Sequence, residues 1–99
     1  MSYKKLVIKS TAAIEIEKVV AYYTEISKTL GQHLEKELRN SFLKISKNPE
    51  GFQFRYKTIR IIWLKKFPYG IYYLFDSDEV YIVAFWSSKE DNDSKIKHL

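Results

Sequence analysis

The spacing of the apolar residues changes near the middle of the chain, and this change limits the fold more than any other feature. Up to the segment "KNPEG" (residues 47–51), apolar residues recur every three or four positions, which is the period of an amphipathic helix. After this segment they alternate or form short β-branched and aromatic runs, which are typical of strands. The sequence therefore predicts an α+β fold with helices in the first half and a sheet in the second.

One short strand and two helices are predicted before the break. The segment "YKKLVIKS" (3–10) places Leu6 and Ile8 on one face of a strand. A first helix is predicted from Ala12 to Leu30 and is expected to end at Gly31, because glycine is favoured just beyond a helix. The apolar stripe of the second helix consists of Leu34, Leu38, Phe42 and Ile45. Two amphipathic helices with so short a join predict an antiparallel helical hairpin.

The second half predicts the remaining strands. "FQFRYK" (52–57) and "TIRIIWL" (58–64) precede Pro68, which cannot donate to a ladder, and "YGIYYLF" (69–75) and "VYIVAFWS" (80–87) flank the polar loop "DSDE". We therefore predict a short N-terminal strand and an antiparallel helical hairpin packed on a twisted, mostly antiparallel sheet of four to five strands. Residues 1–91 are expected to form a single domain, and residues 92–99 a polar, frayed C-terminal tail.

Composition narrows the classes of protein that the chain can represent. The 99 residues include no cysteine, which excludes disulfides and thiolate metal sites. No segment approaches the roughly 20 apolar residues of a membrane span, so we expect a cytoplasmic protein without a membrane partner. The formal net charge of +5 favours an acidic partner, although many small domains carry such a charge for solubility alone.

The sequence lacks the usual catalytic and metal-binding patterns. His33 and His98 have no partner at ligand spacing, and Glu35 and Glu37 cannot share one face of a helix. Phosphate-binding glycine loops, nucleophile elbows and metalloprotease motifs are also missing. We therefore predict no metal and no cofactor.

Basic residues alternate with aromatic residues in the strand half of the chain. They are Arg55, Lys57, Arg60, Lys65, Lys66, Tyr69, Tyr72 and Lys89. Such a set suits phosphate binding by cations and base stacking on aromatic rings. The alternative is structural: aromatic residues such as Tyr73 and Phe85 belong to the core, and Lys65 and Lys66 solvate the end of a strand.

Four segments in order resemble the RelE/ParE superfamily of toxins from bacterial type II toxin-antitoxin systems. They are the helical hairpin ending in "NPEG", the basic strand "YKTIRIIWLKK", the corner "FPYGIYYLF" and the closing strand "VYIVAFWSSKED". The resemblance extends to about Asp91. It implies a toxin of the plasmid-stabilisation type that a cognate antitoxin neutralises.

The resemblance implies two possible modes of action. RelE-like members cut mRNA on the ribosome with Lys, Arg and Tyr, and Lys57, Arg60, Lys65, Tyr69 and Lys89 are the candidates for such a site. Typical RelE proteins carry Arg after the aromatic residue that opens the penultimate strand and Tyr near the C-terminus, whereas this chain has Gly70 and no tyrosine beyond Tyr81. ParE-like members bind DNA gyrase and need no proton transfer of their own.

The long first helix, the Asn-Pro break and the Phe-Pro-Tyr corner favour the ParE-like mode, in which the protein is not an enzyme. The residues expected to bind the target are Arg55, Lys57, Arg60, Lys65, Lys66, Trp86 and Lys89. Relatives usually have His, two variable residues and Arg at the end of the last strand, where this chain has Trp86, Ser87, Ser88 and Lys89. A degenerate relative that keeps the fold without toxicity is therefore a third reading.

Overall fold

The computed structural model describes residues 3–99 and has the predicted α+β architecture. Its elements are β1 (Lys5–Ile8), α1 (Ser10–Ile26), α2 (Lys28–Lys47), a 3₁₀ turn (Pro49–Gly51), β2 (Phe54–Tyr56), β3 (Ile59–Trp63), β4 (Tyr69–Phe75), β5 (Glu79–Ser87), α3 (Asn92–Lys95) and a second 3₁₀ turn (Ile96–His98). No helix within residues 3–99 combines the length and the apolar character that a membrane crossing requires.

The five strands form one sheet in the order β1-β5-β4-β3-β2. β1 runs parallel to β5, and the other neighbours are antiparallel, as the predicted mostly antiparallel sheet requires. The helical hairpin between β1 and β2 covers one face of this sheet, which we call the helix face. We call the opposite side the far face.

The main core lies between the helices and the helix face. Leu34, Leu38 and Ile45 of α2 are buried against residues of the two central strands. The central-strand contribution consists of Ile71, Tyr73, Val80, Ile82 and Phe85. The buried Tyr73 hydroxyl donates a 2.6 Å hydrogen bond to the carbonyl of Pro49, which joins the break after α2 to the sheet. The predicted apolar stripe of α2 therefore places the hairpin on the sheet.

The C-terminal residues cover the far face, so the prediction of a frayed tail is wrong. α3 begins at Asn92, which is buried and donates from Nδ2 to the Tyr72 hydroxyl at 3.0 Å. Ile96 is 3% exposed and packs in a second core cluster with Tyr72 and Trp86. A single buried isoleucine and a buried asparagine hold this segment, and neither produces a periodic pattern in the sequence.

The join between the helices differs from the predicted one. α1 ends at Ile26, and Ser27 caps α2 by accepting the Leu30 N–H with its hydroxyl at 3.3 Å. Gly31 therefore does not end the first helix but lies in the first turn of α2. A Cβ atom at Gly31 would lie 2.1 Å from Thr24 Oγ1 and 3.0 Å from Thr24 Cα, so glycine allows the two helices to approach closely.

We expect Gly31→Ala to lower the free energy of unfolding by about 1–3 kcal/mol, because the added methyl group must push α1 and α2 apart. The combined change Thr24→Ala and Gly31→Ala removes the nearest clashing atom and should recover part of the loss. Urea unfolding of the three variants measures both effects. Helix propensity alone would make Gly31→Ala more stable than the wild type. An increase in the free energy of unfolding would therefore contradict the expected clash and show that the helices can separate without a loss of stability.

Candidate functional site

The structure separates the candidate residues into two groups. One contains Lys65, Lys66, Tyr69 and Lys89, and the other contains Arg55, Lys57 and Arg60. The Leu64 N–H donates to the Tyr69 carbonyl at 2.9 Å and Tyr69 pairs with Ser87, which brings the first group to one end of the sheet. Arg60 pairs with Tyr73, four residues along β4 from Tyr69 and thus about 13 Å away. We call the first group the basic corner.

Glu37 of α2 fixes the backbone of the basic corner. Its carboxylate accepts the backbone N–H of Lys65 in a short hydrogen bond and the backbone N–H of Lys66 at 3.3 Å. On the other side of the corner, the Ser88 N–H donates to the Pro68 carbonyl at 2.9 Å. Glu37 therefore positions the segment between β3 and β4, although the sequence analysis considered it only as a carboxylate that cannot share one helix face with Glu35.

The lysine side chains of the basic corner are exposed on this fixed backbone. Within residues 3–99, none of Lys65, Lys66 and Lys89 lies within ion-pair distance of a carboxylate. Three cations at one end of the sheet are thus available to an acidic surface. Hydrogen bonds of the backbone hold the residues in place, so the ammonium groups themselves are not used for this.

Tyr69 joins the basic corner to the core. Its ring stacks on Phe85 with the centroids 5.1 Å apart and meets Tyr23 edge-on at 6.4 Å. Burial raises the pKa of Tyr69 above the usual value of a tyrosine, and the nearby Tyr23 and Glu90 raise this pKa further. The phenol is therefore neutral near pH 7 and is poorly suited to act as a general base.

The cations of the second group have contacts within the chain. Arg55 forms a 2.8 Å ion pair with Asp93, and the Arg60 guanidinium donates to the carbonyls of Glu50 and Phe52 at 3.1 and 2.7 Å. Lys57 has φ 51° in the turn between β2 and β3, and its ammonium group lies 5.3 Å from the centroid of the adjacent Tyr56 ring. Arg60 holds the turn after α2, so its placement in a target-binding surface is not supported.

Trp86 is buried, and the structure contradicts its selection as a residue that binds the target. Its side chain is 7% exposed, and its indole N–H donates to Glu15 at 2.8 Å. The ring packs on Tyr72 at 4.9 Å, and the Lys95 ammonium lies 4.4 Å from its centroid. The indole at the end of the last strand is thus part of the far-face core.

Gly70 lies beneath Trp63 on the far face. A Cβ at Gly70 would approach Ile61 Cδ1 to 2.7 Å and two carbons of the Trp63 ring to 2.9 Å. The Trp63 ring also meets Tyr72 edge-on at 6.4 Å. The position at which the nuclease pattern has arginine is therefore occupied by packed apolar side chains, and an arginine there would displace Trp63.

A groove of about 730 Å³ lies beside the basic corner, between α2 and the outer edge of β3. Lys65 and Lys66 line it from the corner, and Lys36 and Lys44 line it from α2. The apolar periodicity does not predict this groove, because the groove depends on how far β2 extends along β3. The "NPEG" break, which turns the chain before β2, is the sequence feature that bears on it.

The protein is similar in fold to a solved toxin-antitoxin structure. No protein-family model matches the sequence, and no curated protein matches it. A structure described as the chromosomal ParDE TA system from P. aeruginosa matches with a TM-score of 0.72. The match covers 86% of this chain and 96% of that chain at 11% sequence identity. At this identity the similarity establishes the fold, and it agrees with the predicted RelE/ParE-like architecture.

Proposed function

We propose that the protein is the toxin of a type II toxin-antitoxin pair of the plasmid-stabilisation type, and that it inhibits DNA gyrase in the cytoplasm by binding it. The fold shared with the ParDE structure supports the toxin role. The packing of Trp63 over Gly70 is the observation that favours gyrase binding over RNA cleavage. An apolar ring fills the space in which the nuclease pattern would have an arginine side chain. The target-binding surface is the basic corner.

The arrangement of the basic corner supports binding over chemistry. Cleavage of RNA by attack of its 2′-hydroxyl needs a base that deprotonates this hydroxyl and an acid that protonates the leaving 5′-oxygen. It also needs a cation that stabilises the charge of the phosphorane. The raised pKa of Tyr69 disfavours this phenol as the base, and Arg60, the candidate for the stabilising cation, is engaged by two backbone carbonyls. Exposed lysines on a fixed backbone, in contrast, need only electrostatic and shape complementarity to bind a protein surface.

The test is inhibition of supercoiling by purified gyrase. We expect the wild-type chain to block supercoiling and to accumulate protein-linked DNA breaks. Replacing Lys65, Lys66 and Lys89 together by Gln should weaken inhibition by about tenfold or more, which corresponds to about 1.4 kcal/mol of binding. The melting temperature should stay nearly unchanged, because these side chains are exposed.

The matched control replaces Lys18, Lys28 and Lys47, which are exposed on the helices, by Gln. This control changes the net charge by the same amount and should leave inhibition intact. Codon-specific mRNA cleavage on ribosomes, without an effect on gyrase, would contradict the proposal and favour the RelE-like mode. A chain that is inert in both assays would be the degenerate relative.

A further inference from the structure

Helix α1 carries apolar side chains on its outer face as well as on its inner face. The inner residues, among them Ile16 and Val20, pack against the main core. On the outer face Ile14 is 51% and Ile26 is 59% exposed. The exposed positions of α2, in contrast, are polar with the exception of Leu43. A helix that is apolar on both faces normally packs against a second surface, so the outer face of α1 is a candidate for an interface.

The outer residues of α1 form one continuous ridge. Residues that follow each other at intervals of four are neighbours on the surface of a helix, and the ridge consists of Ile14, Lys18, Tyr22 and Ile26, all of which are exposed. Ala21 and Glu25 are exposed directly beside this ridge, and the small side chain of Ala21 allows another helix to approach closely. We call these six residues the α1 stripe.

The order of the residues in the ridge suits pairing with a second copy of the same helix. If two α1 helices lie antiparallel about the midpoint of the ridge, Ile14 of each copy meets Ile26 of the other copy. In the same arrangement Lys18 meets Tyr22, and an ammonium group over a tyrosine ring is a favourable contact. Two-fold symmetry makes each contact occur twice. Any other partner would need a matching row of side chains, which a second copy has by necessity.

The charges of the α1 stripe also complement each other. Lys18 and Glu25 are seven residues apart, which is about 10 Å along the helix, and within residues 3–99 neither is in an ion pair. Glu25 lies one turn beyond Tyr22 on the same side of the helix. The antiparallel arrangement therefore brings the Glu25 carboxylate of one copy beside the Lys18 ammonium group of the other. A surface that carries both signs of charge favours a second copy over a uniformly charged partner.

We infer that the α1 stripe binds a second copy of this chain in an antiparallel, two-fold symmetric helix pair. The 17 residues of α1 span about 25 Å, and a contact along one helix of this length buries less than about 1,200 Å² in total. The dimer is therefore weak, with a dissociation constant on the order of 10 μM. Its formation does not depend on the proposed function.

Sedimentation velocity of the full chain at about 5, 50 and 500 μM measures the association. We expect the wild-type chain to change from mostly monomer to mostly dimer over this range. Replacing both Ile14 and Ile26 by Gln should raise the dissociation constant about tenfold or more, because the apolar contacts at both ends of the ridge are lost. The control is Leu43→Gln on α2, whose side chain is 57% exposed and lies outside the α1 stripe. This control should dimerise as the wild type does.

A charge exchange tests the pairing between the two copies. Lys18→Glu alone and Glu25→Lys alone each place like charges opposite each other, so each variant should stay monomeric at a concentration at which the wild type is a dimer. An equimolar mixture of the two variants should form a heterodimer, because each variant then supplies the charge that the other lacks. Both residues are exposed, so the melting temperatures should remain close to that of the wild type.

Three results would overturn the inference. A wild-type chain that is still monomeric at about 500 μM would leave the α1 stripe to a partner other than this chain. A dimer that Leu43→Gln weakens as much as the Ile14 and Ile26 replacements do would place the interface elsewhere on the hairpin. A mixture of the two charge variants that stays monomeric would contradict the antiparallel pairing. None of these measurements involves gyrase, so each result is distinct from a failure of the proposed function.

Discussion

Replacing Glu15 by Ala is expected to lower the free energy of unfolding by about 2–4 kcal/mol, because it leaves two buried donors without a partner. Glu15 Oε1 accepts the Phe85 N–H at 3.1 Å, and Oε2 accepts the Trp86 indole N–H at 2.8 Å. Phe85 is 2% and Trp86 7% exposed, so water cannot readily replace the carboxylate. For a domain of this size the melting temperature should fall by about 10 °C or more.

Glu15 is needed because β1 is shorter than β5. Their pairing ends at Ile8 opposite Ile82, and no strand among the described residues 3–99 borders the edge of β5 beyond this point. A carboxylate from α1 takes the place of the missing strand at Phe85. The same device appears where Glu37 accepts the backbone N–H groups of Lys65 and Lys66. Carboxylates from the hairpin thus accept backbone N–H groups at the edge of β5 and in the segment between β3 and β4.

The control for this prediction is Glu17→Ala, which removes an exposed carboxylate from the same helix and should change stability by less than about 0.5 kcal/mol. A double-mutant cycle with Trp86→Phe isolates the indole bond, since Glu15→Ala should cost less when the second donor is already absent. Equal thermal stability of the Glu15→Ala and Glu17→Ala variants would contradict the assigned role.

The order and type of the elements could be predicted because each depends on local periodicity. The stripe of α2 and the apolar runs of β4 and β5 are visible in the sequence, and the α+β fold follows from them. Gly31 was misleading because a glycine in a sequence signals either a helix end or a close helix contact. Gly31 is at a close helix contact, because Thr24 of α1 lies next to it. The geometry of the hairpin determines this position of Thr24, and the sequence alone does not show it.

The face on which Trp86 lies could not be predicted, because a bulge shifts the alternation in β5. Tyr72 pairs with Ala84 but Tyr73 pairs with Ile82, which leaves Val83 without its own partner. Simple alternation from Ile82 would place Ala84 and Trp86 on the helix face. After the bulge both pack in the far-face cluster. The Trp86 indole is therefore buried beside Ile96.

The candidate site could be predicted only in part, because proximity between strands depends on register. The sequence identified Lys65, Lys66, Tyr69 and Lys89, and the β4–β5 pairing brings them to one end of the sheet. It also selected Arg60, whose hydrogen-bond partners lie on a segment that turns back after α2. Residue type alone does not distinguish a cation that binds a target from one that holds a turn.

Arg60 is expected to be needed for stability. Its guanidinium donates to the carbonyls of Glu50 and Phe52, lies 3.8 Å from the Phe54 ring centroid and 5.6 Å from that of Phe75. We expect both Arg60→Gln and Arg60→Lys to lower the free energy of unfolding by about 2 kcal/mol, because neither side chain reproduces the planar guanidinium with its two hydrogen bonds. Denaturant unfolding measures the loss.

Two comparisons separate this structural role from a role in binding. Arg55→Gln removes an ion pair between exposed groups and should cost only about 0–1 kcal/mol. The Arg60→Gln variant, assayed at a temperature at which it is fully folded, should inhibit gyrase as the wild type does, unlike the Lys65, Lys66 and Lys89 variant. Full stability of Arg60→Gln together with lost inhibition would instead place Arg60 in the target-binding surface, and the basic corner would then have to extend along β3.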